Sequence, residues 1–352
     1  MKITKIRQVT VVKSAEGNPR NDTASVVRLK NGRLMIVWHK YHESPEGGSD
    51  FGDCSVYSKT SGDEGLTWEN ERQLVPVNPG DLNVQAPALC RLPDNELLLI
   101  CMRAHARNSS SMELFRSQDD GETFTHGAFV WERNSGQWLQ GGASCLLRLK
   151  SGRLLIPFHG GTGDQASQHN IEKCFISDDS GKTWRLSAGS IDLPMRGAME
   201  PFVAELKDGR LIMVMRNQLG SLFKSYSTDQ GKSWNHPQTT GLSIPESCPY
   251  VTNIPGSDKI MVIWNNAEYN MHWRSHYGKR SPLTAAISAD GGVTFTDFWD
   301  IETDPNIAFS NPGITWTRDG VCLLTYWVCP YSNDWIMNGF IDLRLARFRV
   351  KT

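Results

Sequence analysis

No stretch of this sequence is long and apolar enough to cross a bilayer as a helix. Charge of one sign is lacking too. Lys and Arg total 37 against 38 Asp and Glu, a net charge of −1, with no like-charged run. Nucleic acid and anionic membrane surfaces are thereby excluded as main partners. The opening "MKITKIRQVTVVKSAEG" lacks the apolar core and small-residue cleavage site of an export signal, and reads as a strand. Paired-cysteine spacing is missing as well. The eight cysteines are scattered, and Cys90, Cys101, Cys145, Cys174 and Cys322 sit inside apolar runs. Buried free thiols are expected, with no disulfide framework and no CxxC zinc site. Together these features set a cytoplasmic location as the expectation. No metal ligand set and no cofactor are expected.

What is present is a repeat. "SGDEGLTW" begins at Ser61, "SQDDGETF" at Ser117, "SDDSGKTW" at Ser177, "STDQGKSW" at Ser227 and "SADGGVTF" at Ser288. The pattern is Ser-x-Asp-x-Gly-x-Thr/Ser-aromatic, at a period of roughly 50 to 60 residues, which signals stacked supersecondary units. Upstream of most copies lies an apolar run, a tight polar turn and a second apolar run. Examples are "SVVRLKNGRLMIVW" from Ser25, "ASCLLRLKSGRLLIPF" from Ala143 and "PFVAELKDGRLIMVM" from Pro201. Asn-Gly and Asp-Gly between apolar runs mark hairpins, because both residues accept positive φ.

Six such hairpins are expected, each continued by a third strand, with the octapeptide turning five of them into a fourth. An all-β, six-bladed β-propeller follows, one domain over residues 1–352, in which radial repetition protects the sheet edges. The N-terminal strand completes the sixth unit. The octapeptide aspartates are expected to be scaffold, each accepting bonds from its own turn.

Function is therefore sought at the opposite end, where first strands begin and second strands finish. That end collects Asp22, the segment "HKYHESPEGGSDFGD", Gln85, Arg103, His105, Arg107, Gln140, His159, Glu200, Arg216, Asn265, Asn266, Arg280, Asn311, Tyr326 and Trp327. Acids, cations and aromatics converging on one funnel suit a small polar ligand.

The octapeptide resembles the Asp-box of the sialidase superfamily, and the chain resembles that superfamily of six-bladed propellers over nearly its whole length. "MEPFVAELKDGRLIMVMRNQLG" resembles the segment carrying a catalytic Glu and, sixteen residues on, a carboxylate-gripping Arg, here Glu200 and Arg216. "KRSPLTAAISADGG" resembles the segment with another carboxylate-binding Arg, here Arg280. The loop acid corresponds to Asp50 or Asp53. Asp22, Arg103, His159 and Asn311 are further expected substrate contacts.

Two places depart from the family pattern. Asp22 stands where the first Arg of a triad is expected, with Arg20 two residues earlier. Asn311, near Phe309, stands where the nucleophilic Tyr is expected. The resemblance implies an exo-glycosidase for a terminal sialic acid or related acidic sugar on a glycan. Without the Tyr, Glu200 is left as base on a water with Asp50 as acid, or as direct nucleophile. His39, His42, His105 and His159 are further acid/base candidates. A lyase on uronate-containing glycans and a non-catalytic glycan-binding propeller remain alternatives.

Overall fold

The computed structural model describes residues 2–141, 145–273, 275–331 and 340–351. Among them are strands and turns but no helix. Five of the six hairpins share one turn geometry. In the first, the Leu29 N–H donates to the Arg33 carbonyl and the Gly32 N–H to the Leu29 carbonyl. Leu92, Leu149, Leu206 and Thr317 make the first of these bonds in four others, and in the fifth, one residue longer, the Ile254 N–H donates to the Lys259 carbonyl. Gly32 has φ +85 and Asn95, at the same place in the second hairpin, φ 72, so the turn does need residues that accept positive φ. The expected run from Ala143 begins outside the described residues at Ala143 and Ser144; Leu147–Arg148 pairs with Leu154–Thr162.

Among the described residues, pairing yields four four-stranded sheets and one of nine strands, and none of these closes on itself. The nine-stranded sheet is two units fused through a single parallel pair, Gln137 with Ser109. Ser110 causes the join. Its hydroxyl donates to the Leu139 carbonyl at 2.8 Å and accepts the Leu139 N–H at 2.9 Å, pinning one unit to the next. Lys2–Val12 pairs antiparallel with Asp342–Lys351, so the first strand completes the last sheet.

Hydrogen bonds near the first strands link one unit to another. The Leu89 N–H donates to Ser25 Oγ, Asn253 to the Glu205 carbonyl, Trp316 to Thr252, and Thr315 to the Val26 carbonyl. The core lies between sheets. Phe202, Val214, Trp264 and Ala286 pack as one cluster, and Val26, Ile36, Trp38 and Leu345 as another.

The octapeptide turns sit with the hairpin turns at one end; Asp120, for instance, accepts the Lys30 N–H. Each turn is self-contained. Asp179 Oδ1 accepts the N–H of Lys182 at 3.0 Å and of Thr183 at 2.9 Å, while Oδ2 accepts the Thr183 hydroxyl at 2.6 Å. Asp63, Asp119, Asp229 and Asp290 do the same for Thr67, Thr123, Ser233 and Thr294. Hydrogen bonding within the turn holds these carboxyls low: for Asp63 and Asp119 the Thr hydroxyl is the main cause, and both fall to about 2. Cys54, Cys90, Cys101, Cys145, Cys174, Cys248 and Cys322 are free thiols, all but Cys90 buried.

Candidate active site

The other end of the sheets is shaped by bulges. Register breaks fall between Asp22 and Ala24, Gln85 and Ala88, Met199 and Phe202, and Ser310 and Gly313. Each break holds a non-glycine residue at positive φ: Thr23 at 41, Ala86 at 51, Glu200 at 49 and Asn311 at 53. Such a residue costs on the order of 1–3 kcal/mol, and such strain collects at functional sites. A bulge takes the side chain out of strand alternation and re-aims it. Proline follows three of the four, as Pro87, Pro201 and Pro312, and needs no ladder partner there. This repeated x-Pro was a signal in the sequence for where the bulges fall.

The bulges surround a polar cavity of about 100 Å³. Seven of the nine expected catalytic and substrate-contact residues line it, Asp22, Asp50, His159, Glu200, Arg216, Arg280 and Asn311, and with them His39, Gln85, Gln140 and Trp327. Two do not. Arg103 lies within its own unit, its Nε 2.8 Å from Glu113 Oε1 and its Nη1 3.6 Å from Asp81. Alternation along Leu97–Ala106 turns it away from the cavity. Asp53 sits where the loop has already returned to its sheet, 3.3 Å from His42 Nδ1. His42 and His105 also stay off the cavity, the latter bonded to Asp81 at 2.7 Å. Among the described lining residues there is no tyrosine.

Two charged groups form the walls. In one, Arg20 donates to Asp22 Oδ2 through Nε at 3.0 Å and Nη2 at 2.5 Å, and to Asp50 through Nη1 at 2.8 Å. Thus Arg20 enters the cavity although Asp22 holds the strand-opening position, and the expected pair of arginines is joined by a third. Asp22 is fully buried and also accepts the Thr23 N–H and the Asn311 amide. Burial pushes its carboxyl up, but the Arg20 guanidinium beside it outweighs burial and leaves it low. The Asp50 segment is tied down by Asn83 and Gln85, both donating to the Asp50 carbonyl.

In the other group, Arg216 bridges Glu200 at 3.0 Å and Glu246 at 2.8 Å. Burial pushes the Glu200 carboxyl up; the Arg216 guanidinium, and then Arg280, pull it back below its ordinary value. Glu200 is therefore an ionised carboxylate at neutral pH. Arg196 adds a fourth guanidinium, 3.1 Å from Glu246. It is positioned by Gly197, at φ +88, where a Cβ would fall 1.9 Å from the Asn170 carbonyl oxygen.

Arg280 is different. It is 3% exposed, and its Nη2 donates only to the Glu246 backbone carbonyl, at 3.0 Å. Its Nε has no partner, and no carboxylate among the described residues lies within ion-pair distance of it. Burial, then Arg216, push its pKa down to about 10. Arg196, Glu246 and His276 were not anticipated from sequence, because they come from connections rather than from strand ends: the first two between units, His276 between the second and third strands of one sheet. No group of three or more His, Cys, Asp or Glu side chains among the described residues is placed to hold a metal ion.

The family model for the BNR repeat-like domain matches residues 32–324. A sialidase from Bacteroides fragilis (strain YCH46) is 25% identical over 298 residues, covering 77% of this chain and 53% of that protein. The chain thus spans about half the length of this curated relative. A protein of unknown function from Dyadobacter fermentans has a similar structure, with TM-score 0.75, 17% identity and coverage of 98% of this chain and 99% of that one. The leech intramolecular trans-sialidase, solved with 2,7-anhydro-Neu5Ac, gives TM-score 0.76 and 13% identity over 97% of this chain and 70% of that one.

Proposed function

Because this chain belongs to the BNR repeat-like domain family, within the sialidase superfamily, we propose that it is a six-bladed propeller whose cavity hydrolyses a terminal acidic sugar, sialic acid or a close relative, from a glycan. The observation that carries this reading is Arg280, a buried guanidinium in the cavity wall with no carboxylate of its own. A planar fork left open in a desolvated wall suits a ligand carboxylate, which would complete it. Arg216, one Nη from Arg280's neighbour Glu246, would share that anion.

Glu200 acts on the other side of the bond. Without a tyrosine in the described lining, water is the attacking group. The Glu200 carboxylate takes one proton of the water, and its oxygen bonds to the anomeric carbon. The bond to the leaving oxygen breaks, and that oxygen takes a proton that Asp50, parted from Arg20, relays from solvent. This is the two-carboxyl inverting scheme. At about 100 Å³ the cavity is small beside ligand pockets of roughly 300–1,000 Å³. The Asp50 segment therefore lifts on entry, with the Arg20–Asp50 pair as its latch.

The test is a panel of aryl glycosides of sialic acids, uronic acids and neutral sugars, with the first-formed anomer followed by NMR. Release from a sialoside with inversion is expected. Retention would overturn the water step. An unsaturated, ultraviolet-absorbing product would replace hydrolysis by elimination. Binding with no release from any glycoside would leave a glycan-binding protein.

A further inference from the structure

Two histidines line the cavity from different units and are held in the same way. The Ala86 N–H donates to His39 Nδ1 at 3.3 Å, and the Glu200 N–H donates to His159 Nδ1 at 3.2 Å. A backbone N–H can only donate, so Nδ1 is the bare nitrogen in each ring and the proton sits on Nε2. Both donors are positive-φ bulge residues of the following unit. Both histidines stand at the cavity end of a second strand, His39 paired with Asp22 and His159 with Gln140. One device is therefore built twice, with Ala86 at the bulge in one copy and Glu200 in the other.

The surroundings keep both rings neutral. Burial is the main cause and brings each down to about 4. Around His39, Asp22 and Asp50 pull upward and Arg20 downward. Around His159, Glu200 pulls upward and Arg196 and Arg216 downward. Across the strand pair from His159 lies Glu172, 1% exposed, with neither carboxyl oxygen bonded. Burial, then the Glu200 charge, push Glu172 well up, so it is a neutral acid and offers no charge to hold an imidazolium.

Among the described residues neither Nε2 proton has an acceptor. His39 Nε2 is buried and unbonded, and the nearest carboxylate oxygen, on Asp22, is 3.9 Å away, beyond hydrogen-bond reach. The hydrogen bond made by His159 among the described residues uses Nδ1 only. A desolvated donor without an acceptor is costly unless a ligand supplies one.

We propose that His39 and His159 read the bound sugar: each presents a fixed neutral Nε2–H, from its own wall of the cavity, to an acceptor oxygen of the ligand. The ligand class is a polyhydroxylated acid with oxygen acceptors toward both walls. This rests on the active-site reading above and names how that site selects its substrate.

The experiment has two parts. Nitrogen-15 spectra of the imidazoles, recorded between about pH 5 and 8, are expected to show the Nε2–H tautomer for both residues without titration. Adding free N-acetylneuraminic acid is expected to shift both Nε2 resonances. His159→Asn keeps an acceptor where Nδ1 stands but removes the distal donor; His159→Gln keeps a distal donor.

Asn is expected to weaken binding of that acid by about tenfold, and Gln to lie within about threefold of wild type. A ring that titrates near pH 6.5 or carries its proton on Nδ1 overturns the proposal. So does equal binding by wild type and Asn, which would reduce His159 to holding the Glu200 amide. If a neutral sugar moves both resonances and the acid does not, the acidic-sugar reading fails while the histidine assignment stands. If none of the acidic or neutral sugars moves either resonance, the proposal fails.

Discussion

Asp179, in a turn, and Glu200, at a strand bulge, are carboxylates of neighbouring units, yet their surroundings have nothing in common. Asp179 is filled by its own octapeptide: the Ser177 hydroxyl, two N–H groups and the Thr183 hydroxyl, all within four residues. Glu200 faces an arginine across its hairpin, and that arginine is shared with Glu246 of the next unit. At the turn end, local groups satisfy every aspartate in the same way five times over. At the cavity end, groups from several units meet and some are left open, as with Arg280 and His39. A satisfied carboxylate stabilises its own turn. Open groups in a desolvated wall stabilise nothing until a ligand arrives. The number of repeated aspartates was therefore a guide to scaffold and not to chemistry.

The largest expected difference between the two ends is in turnover. Glu200→Gln keeps the shape and leaves Arg216 paired to Glu246, so folding should persist while kcat falls by about 10² or more. Measuring kcat and thermal midpoint together checks both halves; near-full activity would remove Glu200 from the chemistry.

Next comes Arg280→Lys, which keeps the charge and loses the fork. KM for the acidic sugar should rise by about tenfold, with the thermal midpoint nearly unchanged. Unchanged KM would break the carboxylate assignment.

At the turn end the effect moves from activity to stability. Asp179→Ala removes the acceptor of four donors and should cost about 1 kcal/mol in denaturant melts. The folded variant should keep wild-type kinetics. Lost turnover at unchanged stability would contradict the scaffold role.

The smallest effect sharpens the comparison through pH. The turn aspartates are depressed from 3.8, with Asp63, Asp119, Asp179 and Asp290 at about 2. A depressed carboxyl contributes stability above its unfolded pKa, and that contribution is lost as pH falls from 3.8 through about 2. The cavity histidines are depressed from 6.5 to about 4. For them the unfolded chain binds the extra proton, so stability is full above 6.5 and falls as pH drops toward 4. Thermal midpoints followed against pH should therefore decline in two windows. Asp179→Asn should soften only the lower one, and His39→Phe only the upper.

How much of this was legible follows the same division. The hairpins announced themselves through Asn-Gly and Asp-Gly, and the octapeptides through spacing, since both are complete within a few residues. Glu200, Arg216 and Arg280 were found by resemblance, because their positions relative to a hairpin or an octapeptide are short-range facts. Arg103 and Asp53 were misplaced, because one step along a strand or loop reverses the direction of a side chain. Arg20 was passed over in favour of Asp22, although a long guanidinium reaches the cavity from two residues earlier. Arg196, Glu246 and His276 had no periodic frame to be counted from. The fusion of two units through Ser110 and Leu139 depends on one side chain meeting a strand of the next unit, which no local pattern records.

The sequence by itself determined the strands, their hairpin turns and the self-satisfied aspartate turns, since each closes its hydrogen bonds within its own segment. Only the tertiary structure decided which carboxylates are paired, which arginine stays open and which nitrogen of His39 and His159 carries the proton. Those outcomes depend on groups from different units being brought together in a wall from which water is excluded. There the cost of an unpaired group is high, and its partner is set by geometry rather than by neighbours in the chain.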